Sequence, residues 1–320
     1  MKKELITGAS GFIGSFLVEA ALERNWQTWG AIRSSSSKEF LQDERIRFID
    51  LDYVDKETLK NQISQHVSQH GAWDYVIHNV GITKCVNPDD FDTVNYLYSK
   101  HLIEALQENG NIPEKFVLMS SLGAHHPHVH TRYGASKSKA EKFLESQTGF
   151  PYIILCPTGV YGPRDKDYYL VLKMLQSGFD IVAGFQPQVL SFVYVKDLAK
   201  AAMLALESPI LNQTYFISDG KSYSDVEYTR LAKEALGEKR TIKLRIPLFI
   251  LYVASVITET IAKWRNKPSV LNRDKYQIMA QRDWSCNIRS ITKDLGFYPD
   301  YYLKQGLKES VNWYRKKGWL

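Results

Sequence analysis

A chain of 320 residues, 44% hydrophobic and 24% charged, can bury one large core or two coupled ones and shows no low-complexity tract. Its net charge of +6 is dispersed, apart from Arg315-Lys316-Lys317, and no basic stripe is interleaved with stacking aromatics, so no nucleic-acid partner is expected. The opening MKKELITGAS has no apolar run of the signal-peptide kind, and the longest apolar stretch, Ile246 to Ile257, has about half the residues of a membrane span.

In chain order, Leu5 and Ile6 form a short apolar strand leading into Thr7-Gly8-Ala9-Ser10-Gly11-Phe12-Ile13-Gly14. Apolar residues at Ile13, Phe16, Leu17, Ala20 and Ala21 then mark one buried helical face. Strand, glycine-rich turn and helix together predict a dinucleotide site, because glycines admit a pyrophosphate to the backbone and the helix N-terminus supplies free N–H donors. A second strand, Thr28 to Ile32, ends in Arg33 and Ser34 to Ser37. An NAD site usually has a carboxylate there for the ribose 2′-hydroxyl, whereas a guanidinium and hydroxyls suit a 2′-phosphate. Arg33 and Ser34 therefore predict NADP(H). A solvated Arg in a serine-rich loop would look the same.

A third strand, Arg47 to Leu51, brings Asp52 to its end as an adenine contact, and a helix follows over 55–67. The fourth strand, Tyr75 to His78, ends in Asn79-Val80-Gly81, where the backbone would pass the nicotinamide ribose. A helix over 88–109 carries Asn95, either a water-holding relay residue or an ordinary polar residue on a helix face.

The fifth strand, Phe116 to Met119, delivers Ser120 and Ser121 at its carboxyl end, the edge where ligands bind in open parallel sheets. If Thr131 opens a helix, Tyr133 and Lys137 share one face at i, i+4. A phenol titrates near 10, and a neighbouring ammonium is expected to lower that value. Tyr133 could then pass a proton to or from a substrate oxygen held by Ser121. His125, His126, His128 and His130 crowd the preceding loop. With no carboxylate or Cys beside them in sequence, loop or pocket roles are expected rather than a metal.

A sixth strand spans Tyr152 to Cys156, before Pro157-Thr158-Gly159-Val160-Tyr161-Gly162-Pro163-Arg164. Leu190 to Val195 reads as strand, Lys196 to Glu207 as helix, Gln213 to Ser218 as strand and Ser222 to Leu236 as helix stopped by Gly237. An amphipathic helix over Leu303 to Lys316 closes the chain.

TGASGFIG at 7–14, Asp52, His78-Asn79, Asn95, Ser121, YGASK at 133–137, PTGVYGPRD at 157–165, FVYVKDLA at 192–199 and the ending from Asp294 resemble the extended short-chain dehydrogenase/reductases of the NAD-dependent epimerase/dehydratase superfamily over nearly the whole length. The resemblance implies an α/β Rossmann doubly wound parallel sheet with a smaller mixed α/β substrate domain. Residues 1–165 would form the cofactor-binding core, with 189–220 returning to it, and 166–188 and 221–320 mainly the substrate domain. It also implies Tyr133 as general acid/base, Lys137 as its ribose-holding partner, Ser121 as substrate-oxygen anchor, Asn95 in the catalytic set, and Pro157 and Val160 beside the cofactor. Two departures stand out: Cys156 replaces an Arg common before the PT turn, and Arg33 replaces the acid of NAD-specific members.

Three kinds of protein share these motifs: an NADP(H) reductase of ketones, a nucleotide-sugar epimerase or dehydratase, and a cofactor-binding regulator without catalysis. Dehydratases of this family carry Asp-Glu after the catalytic Ser or Thr, where this chain has Leu122-Gly123. Arg33 and the complete Ser–Tyr–Lys set favour the reductase. Ile246 to Trp264 forms a broad apolar helix similar to that of 3β-hydroxysteroid dehydrogenase-like and dihydroflavonol reductase-like members. It would border a pocket for a lipid- or steroid-like substrate such as 3-ketosphinganine, lie against a membrane, or form the small domain's core. A homodimer is expected. Three widely spaced cysteines, Cys85, Cys156 and Cys286, fit a reducing, cytoplasmic setting, with peripheral membrane contact through 246–264.

Overall fold

Short apolar runs alternating with helical patterns over the first two-thirds of the chain fold as βα units. The computed structural model describes every residue except Lys239, Pro268 and Val270. In order come β1 (Lys3–Thr7), α1 (Phe12–Glu23), β2 (Gln27–Ala31), β3 (Arg47–Ile49), α2 (Lys56–His70), β4 (Tyr75–His78), a π-helical turn (Asp92–Leu97) running into α3 (Tyr98–Glu108), β5 (Lys115–Met119), a 3-10 turn (Leu122–Ala124), α4 (Arg132–Glu145) and β6 (Tyr152–Pro157). Then follow β7 (Gly159–Tyr161), α5 (Asp167–Gln176), β8 (Phe179–Ala183), β9 (Val189–Leu190), β10 (Phe192–Tyr194), α6 (Val195–Glu207) and β11 (Gln213–Ile217). The last are β12 (Tyr223–Ser224), α7 (Asp225–Ala235), β13 (Ile242–Ile246), α8 (Leu248–Trp264), α9 (Arg273–Ala280), β14 (Asp283–Trp284), α10 (Arg289–Leu295) and α11 (Leu303–Lys316).

Seven strands form one sheet in the order β11-β6-β5-β4-β1-β2-β3, every pair parallel. This is the expected doubly wound Rossmann sheet. Strand alternation divides its side chains between two cores. Ile6 packs with Phe16, Leu17, Leu198 and Met203 on the α1/α6 face, whereas Leu5 packs with Leu59, Ile63 and Leu102 on the α2/α3 face. β1 lies between β2 and β4, so the strand order reverses there and opens a crevice at the carboxyl ends. A third, aromatic core holds Tyr161, Phe192, Tyr194, Tyr228 and Tyr314.

Among the boundaries that differ from expectation, with β3 ending at Ile49 and α2 running on to His70, three have a local reason. The helix expected from 88 begins with a π turn, which buries Asn95 instead of leaving it on a face. The strand expected over 190–195 breaks at Ser191, whose hydroxyl donates to the Lys221 carbonyl, so β9 pairs with β12 and β14 while β10 pairs with β7. The helix expected from Ser222 starts at Asp225, because Tyr223 and Ser224 are drawn into β12 and the Ser224 hydroxyl caps the helix at Glu227 N–H.

Candidate active site

The turn after β1 is built for an anionic ligand. Gly8 has φ +65°, and its carbonyl accepts from Gly11 N–H at 3.0 Å. A Cβ at Gly14 would lie 2.1 Å from the Gly8 carbonyl oxygen, so only glycine lets α1 approach the turn this closely. α1 starts at Gly11 without a side-chain cap and without an acid in its first turn. Its first N–H groups and the positive end of its dipole therefore remain available, and they fit a dinucleotide pyrophosphate. Thr7 ties this turn to the next strand: its hydroxyl accepts from Asn79 and Val80 N–H and lies 2.9 Å from His78 Nδ1.

The stretch from Ser121 to Lys137 is assembled by one close backbone contact. Thr131 caps α4 by accepting from Gly134 N–H. A Cβ at Gly134 would stand 2.4 Å from the Gly123 carbonyl oxygen. Glycine at 134 thus lets the turn after β5 pack on the first turn of α4, beside the Tyr133 ring. Ser121, at the carboxyl end of β5, accepts from Gly123 N–H at 3.1 Å. Ser121 and Tyr133 line one cavity of about 870 Å³, together with Ser10, Gly11, Phe12, Ile13, Pro157 and Val160. Its further walls carry Leu122, Tyr168, Leu190, Phe192, Ile278, Met279 and Trp284.

The expected depression of the Tyr133 pKa is corrected by this environment. Burial raises the phenol above its ordinary value, and the Ser121 hydroxyl opposes the rise only in part. Lys137 does not offset it: its Nζ donates to the Met119 carbonyl at 2.9 Å, and burial lowers the ammonium to about 8 against the pull of Glu141. Sequence spacing shows which residues share a helix face but not how dry that face is. Asn95 is almost fully buried; its Oδ1 accepts from Ile82 N–H at 2.8 Å and its Nδ2 donates to Ser136 Oγ at 3.0 Å. A Cβ at Gly81 would touch both Lys137 Nζ and Asn95 Oδ1, at 2.9 and 3.0 Å, so Asn95 and Lys137 flank the strand end where the cofactor ribose is expected.

Arg33, Ser34, Asp52, Asn79, Asn95 and Lys137 lie outside the cavity wall. Arg33 is exposed at the end of β2, and the adjacent Ser34 N–H donates to Asp50 at 3.0 Å. The Asp52 carboxylate folds back to accept from Val54 N–H. The histidines disperse. His125 pairs with buried Glu141 at 2.8 Å, and His126 contacts the Asp283 carbonyl and packs on Trp284. Ser120 also donates to Glu141, and His125, Glu141 and Cys156 bring donor atoms within 4.8 Å of one another. The expectation that no carboxylate or Cys stands by these histidines therefore holds along the chain but not in space.

Two further residues carry no individual signal in the sequence, although Arg164 lies within the PTGVYGPRD motif. Arg164, at φ +74°, spans from the turn after β7 to α1, donating to Ser15 Oγ at 2.9 Å and lying over the Phe16 and Phe40 rings. Asp274, on α9, accepts from the N–H groups of Arg132 at 3.0 Å and Tyr133 at 3.4 Å. The first turn of α4 is thereby fastened to an element some 140 residues later. α9 supplies cavity wall through Lys275, Ile278 and Met279, whereas no residue of α8 lines that cavity.

A Rossmann sheet with a glycine turn, a Ser–Tyr–Lys set and a shared cavity defines an oxidoreductase-type enzyme working with a nicotinamide dinucleotide. The chain belongs to the NAD dependent epimerase/dehydratase family, whose model matches residues 5–217. It is similar to a ceramide reductase of Caulobacter vibrioides, 25% identical over 98% of this chain and 95% of that protein. It is also similar to a putative UDP-glucose 4-epimerase of Methanocaldococcus jannaschii, 26% identical over 97% of both chains. The bovine short-chain dehydrogenase/reductase family 42E member 1 is 28% identical over 60% of this chain and 53% of its own length. The UDP-glucose 4-epimerase of Thermotoga maritima superposes with a TM-score of 0.78 over 98% of this chain and 99% of its own, at 23% identity, a likeness of fold.

Proposed function

We propose that the protein is an NADP(H)-dependent oxidoreductase that interconverts a ketone and a secondary alcohol on a bulky, apolar, lipid-like substrate such as a 3-ketosphingoid. The observation that carries this is the cavity: Ser121 and Tyr133 on one side, and Tyr168, Leu190, Phe192, Ile278, Met279 and Trp284 beyond them. These apolar walls favour an acyl or steroid body; the cations beside them, Lys84, Arg164, Lys166 and Lys275, stand among carboxylates, with Lys84 paired to Asp167 and Arg164 to Glu19. The likeness to a ceramide reductase over almost the full length points the same way.

The bound nicotinamide supplies or accepts the hydride. Ser121 holds the substrate oxygen, and Tyr133 donates its proton to that oxygen as it becomes an alcohol. A raised phenol pKa keeps Tyr133 protonated and ready to donate at neutral pH. The Lys137 ammonium, held on the Met119 carbonyl beside Gly81, would hold the cofactor ribose at the strand end. Leu122-Gly123 offers no second acid or base for eliminating water.

NADP(H) is favoured by the exposed Arg33 and the Ser34–Ser37 hydroxyls, while Asp50 on Ser34 N–H works against a 2′-phosphate. Oxidation of NADPH and NADH by the purified protein, screened against 3-ketosphingoids, ketosteroids and aryl ketones, tests both parts. Arg33→Asp should move the preference toward NADH by at least about tenfold. Turnover of a nucleotide sugar alone, without net consumption of reduced cofactor, would establish the epimerase reading instead. Equal use of NADH and NADPH by both forms would reject the role of Arg33.

A further inference from the structure

α8 is amphipathic in the reverse of the usual sense. A helix on a globular domain turns its apolar stripe inward and its polar face to water. Here Phe249, Ile250, Val253, Val256, Ile257, Ile261 and Trp264 point outward and Tyr252 stands half-exposed at the edge toward α9, with Phe249 69%, Val253 51% and Trp264 85% exposed. At 100° per residue these positions cover about half the helix circumference, interrupted by Thr260 and, in the last turn, by Lys263. The inward face holds Leu251 but also Ser255, Thr258 and Glu259. These polar groups are satisfied locally: Ser255 donates to the Tyr252 carbonyl, Thr258 to the Ala254 carbonyl, and Glu259 pairs with Arg273. The helix therefore has no unmet polar demand on its inside and a large unmet apolar one on its outside.

The elements leading into it extend this surface. β8 and β13 pair in parallel with Phe179 opposite Ile242 and Ile181 opposite Leu244, and all four side chains are exposed. β8 ends at Ala183, and the Leu248 side chain at the start of α8 packs over the following Gly184. An exposed apolar area of this extent marks an interaction site on a soluble domain. Its charges indicate the partner. Arg265 and Lys267 stand exposed beside Trp264 at the far end, and Lys263, half-exposed, reaches Glu259 at 3.5 Å. The one acid within α8, Glu259, faces inward and is already paired.

We infer that α8, with the β8–β13 edge, docks in the plane of an anionic lipid bilayer, its outward face seated at the headgroup–acyl boundary. An apolar face ending in Trp among basic residues suits that boundary, where the indole sits at headgroup level and the cations meet lipid phosphates. At 17 residues α8 is about 26 Å long, and no helix among the described residues is long and apolar enough to cross a membrane. The helix lies on the bilayer and does not span it. α9, which packs on α8 through the Tyr252–Tyr276 ring pair at 5.3 Å, also walls the catalytic cavity. Docking would bring that cavity to the membrane surface.

Flotation of the full chain with vesicles of phosphatidylcholine and phosphatidylglycerol, without substrate, tests the inference. The protein should float with mixed vesicles, much less with phosphatidylcholine alone, and be released by high salt. Val253→Glu with Ile257→Glu should cut the bound fraction by at least about tenfold while leaving the melting temperature and its shift on NADPH addition unchanged. Lys263→Glu with Arg265→Glu should weaken binding and remove the preference for the anionic lipid. Trp264 emission should shift to the blue on vesicle addition, a shift absent from Trp264→Phe. Failure of the wild-type chain to float, or flotation of the Val253→Glu/Ile257→Glu variant like wild type, overturns docking. A dimer in ultracentrifugation that this variant dissolves would give the face to a second copy of the chain. Turnover in detergent is measured separately, so loss of docking and failure of the substrate assignment are read apart.

Discussion

α6 and α8 are both rich in apolar residues, and they spend that character in opposite directions. α6 buries Leu198, Ala202, Met203 and Leu206 against the sheet, and it also buries Asp197, whose carboxylate accepts from Asp300 and Tyr301 N–H. α8 buries only Leu251 and Ser255. What separates them is not hydrophobic content but which residues occupy the inner face. α6 puts methyl groups there against a sheet that is apolar on both sides. α8 puts small and hydroxyl side chains there, which pack closely but gain little from leaving water. A helix held this way is positioned for what lies outside it.

The contrast can be broken or sharpened experimentally. Tyr133→Phe should lower ketone turnover by roughly a thousandfold, leaving NADPH binding by fluorescence titration and vesicle flotation unchanged. Coupled loss of all three would show that the site and α8 are not separable. Leu198→Ala in α6 should cost about 2–5 kcal/mol in urea unfolding, whereas Val253→Ala in α8 should stay within about 0.5 kcal/mol. Comparable costs would mean that α8 is covered in the free protein.

The pH profile sharpens the site half. The Lys137 ammonium, lowered to about 8, is charged below that value and loses its charge above it. Reductive turnover should therefore fall as pH rises through about 8, and Lys137→Arg, whose guanidinium stays charged, should flatten the fall. A profile unchanged by that substitution would assign the transition to another group. The smallest effect falls on the link between the halves. Asp274→Ala removes the acceptor at the first turn of α4 and should cost about 1 kcal/mol, lowering kcat with little change in cofactor affinity. A change confined to cofactor affinity would contradict that placement.

Much of the sheet and the core of the site was legible because local rules specify them. β4 and α11 fall on the residues the pattern indicates, and Thr131, Tyr133 and Lys137 occupy one cap and one helix face as their spacing requires. What was not legible depends on contacts distant in sequence. Periodicity gives α8 its helix and its apolar stripe, but a stripe facing in and a stripe facing out read identically. The small-domain-core reading of 246–264 fails on exposure, and the pocket-border reading passes from α8 to α9. Asp274 looks like an ordinary surface acid until α9 meets α4. Arg164 adopts a left-handed backbone that nothing in Gly-Pro-Arg-Asp requires of it. The Tyr133 shift ran opposite to expectation because burial, unlike spacing, leaves no periodic trace. His125 finds its carboxylate 16 residues away, on α4.

The Asp274 contact makes two backbone amides into an internal gauge. The N–H groups of Arg132 and Tyr133 are held by a carboxylate from α9, and α9 is also the support on which α8 rests. Any load on α8 that displaces α9 must lengthen those bonds and expose those amides to deuterium. Their exchange rates, followed by mass spectrometry, would register at Tyr133 an event on the outer surface.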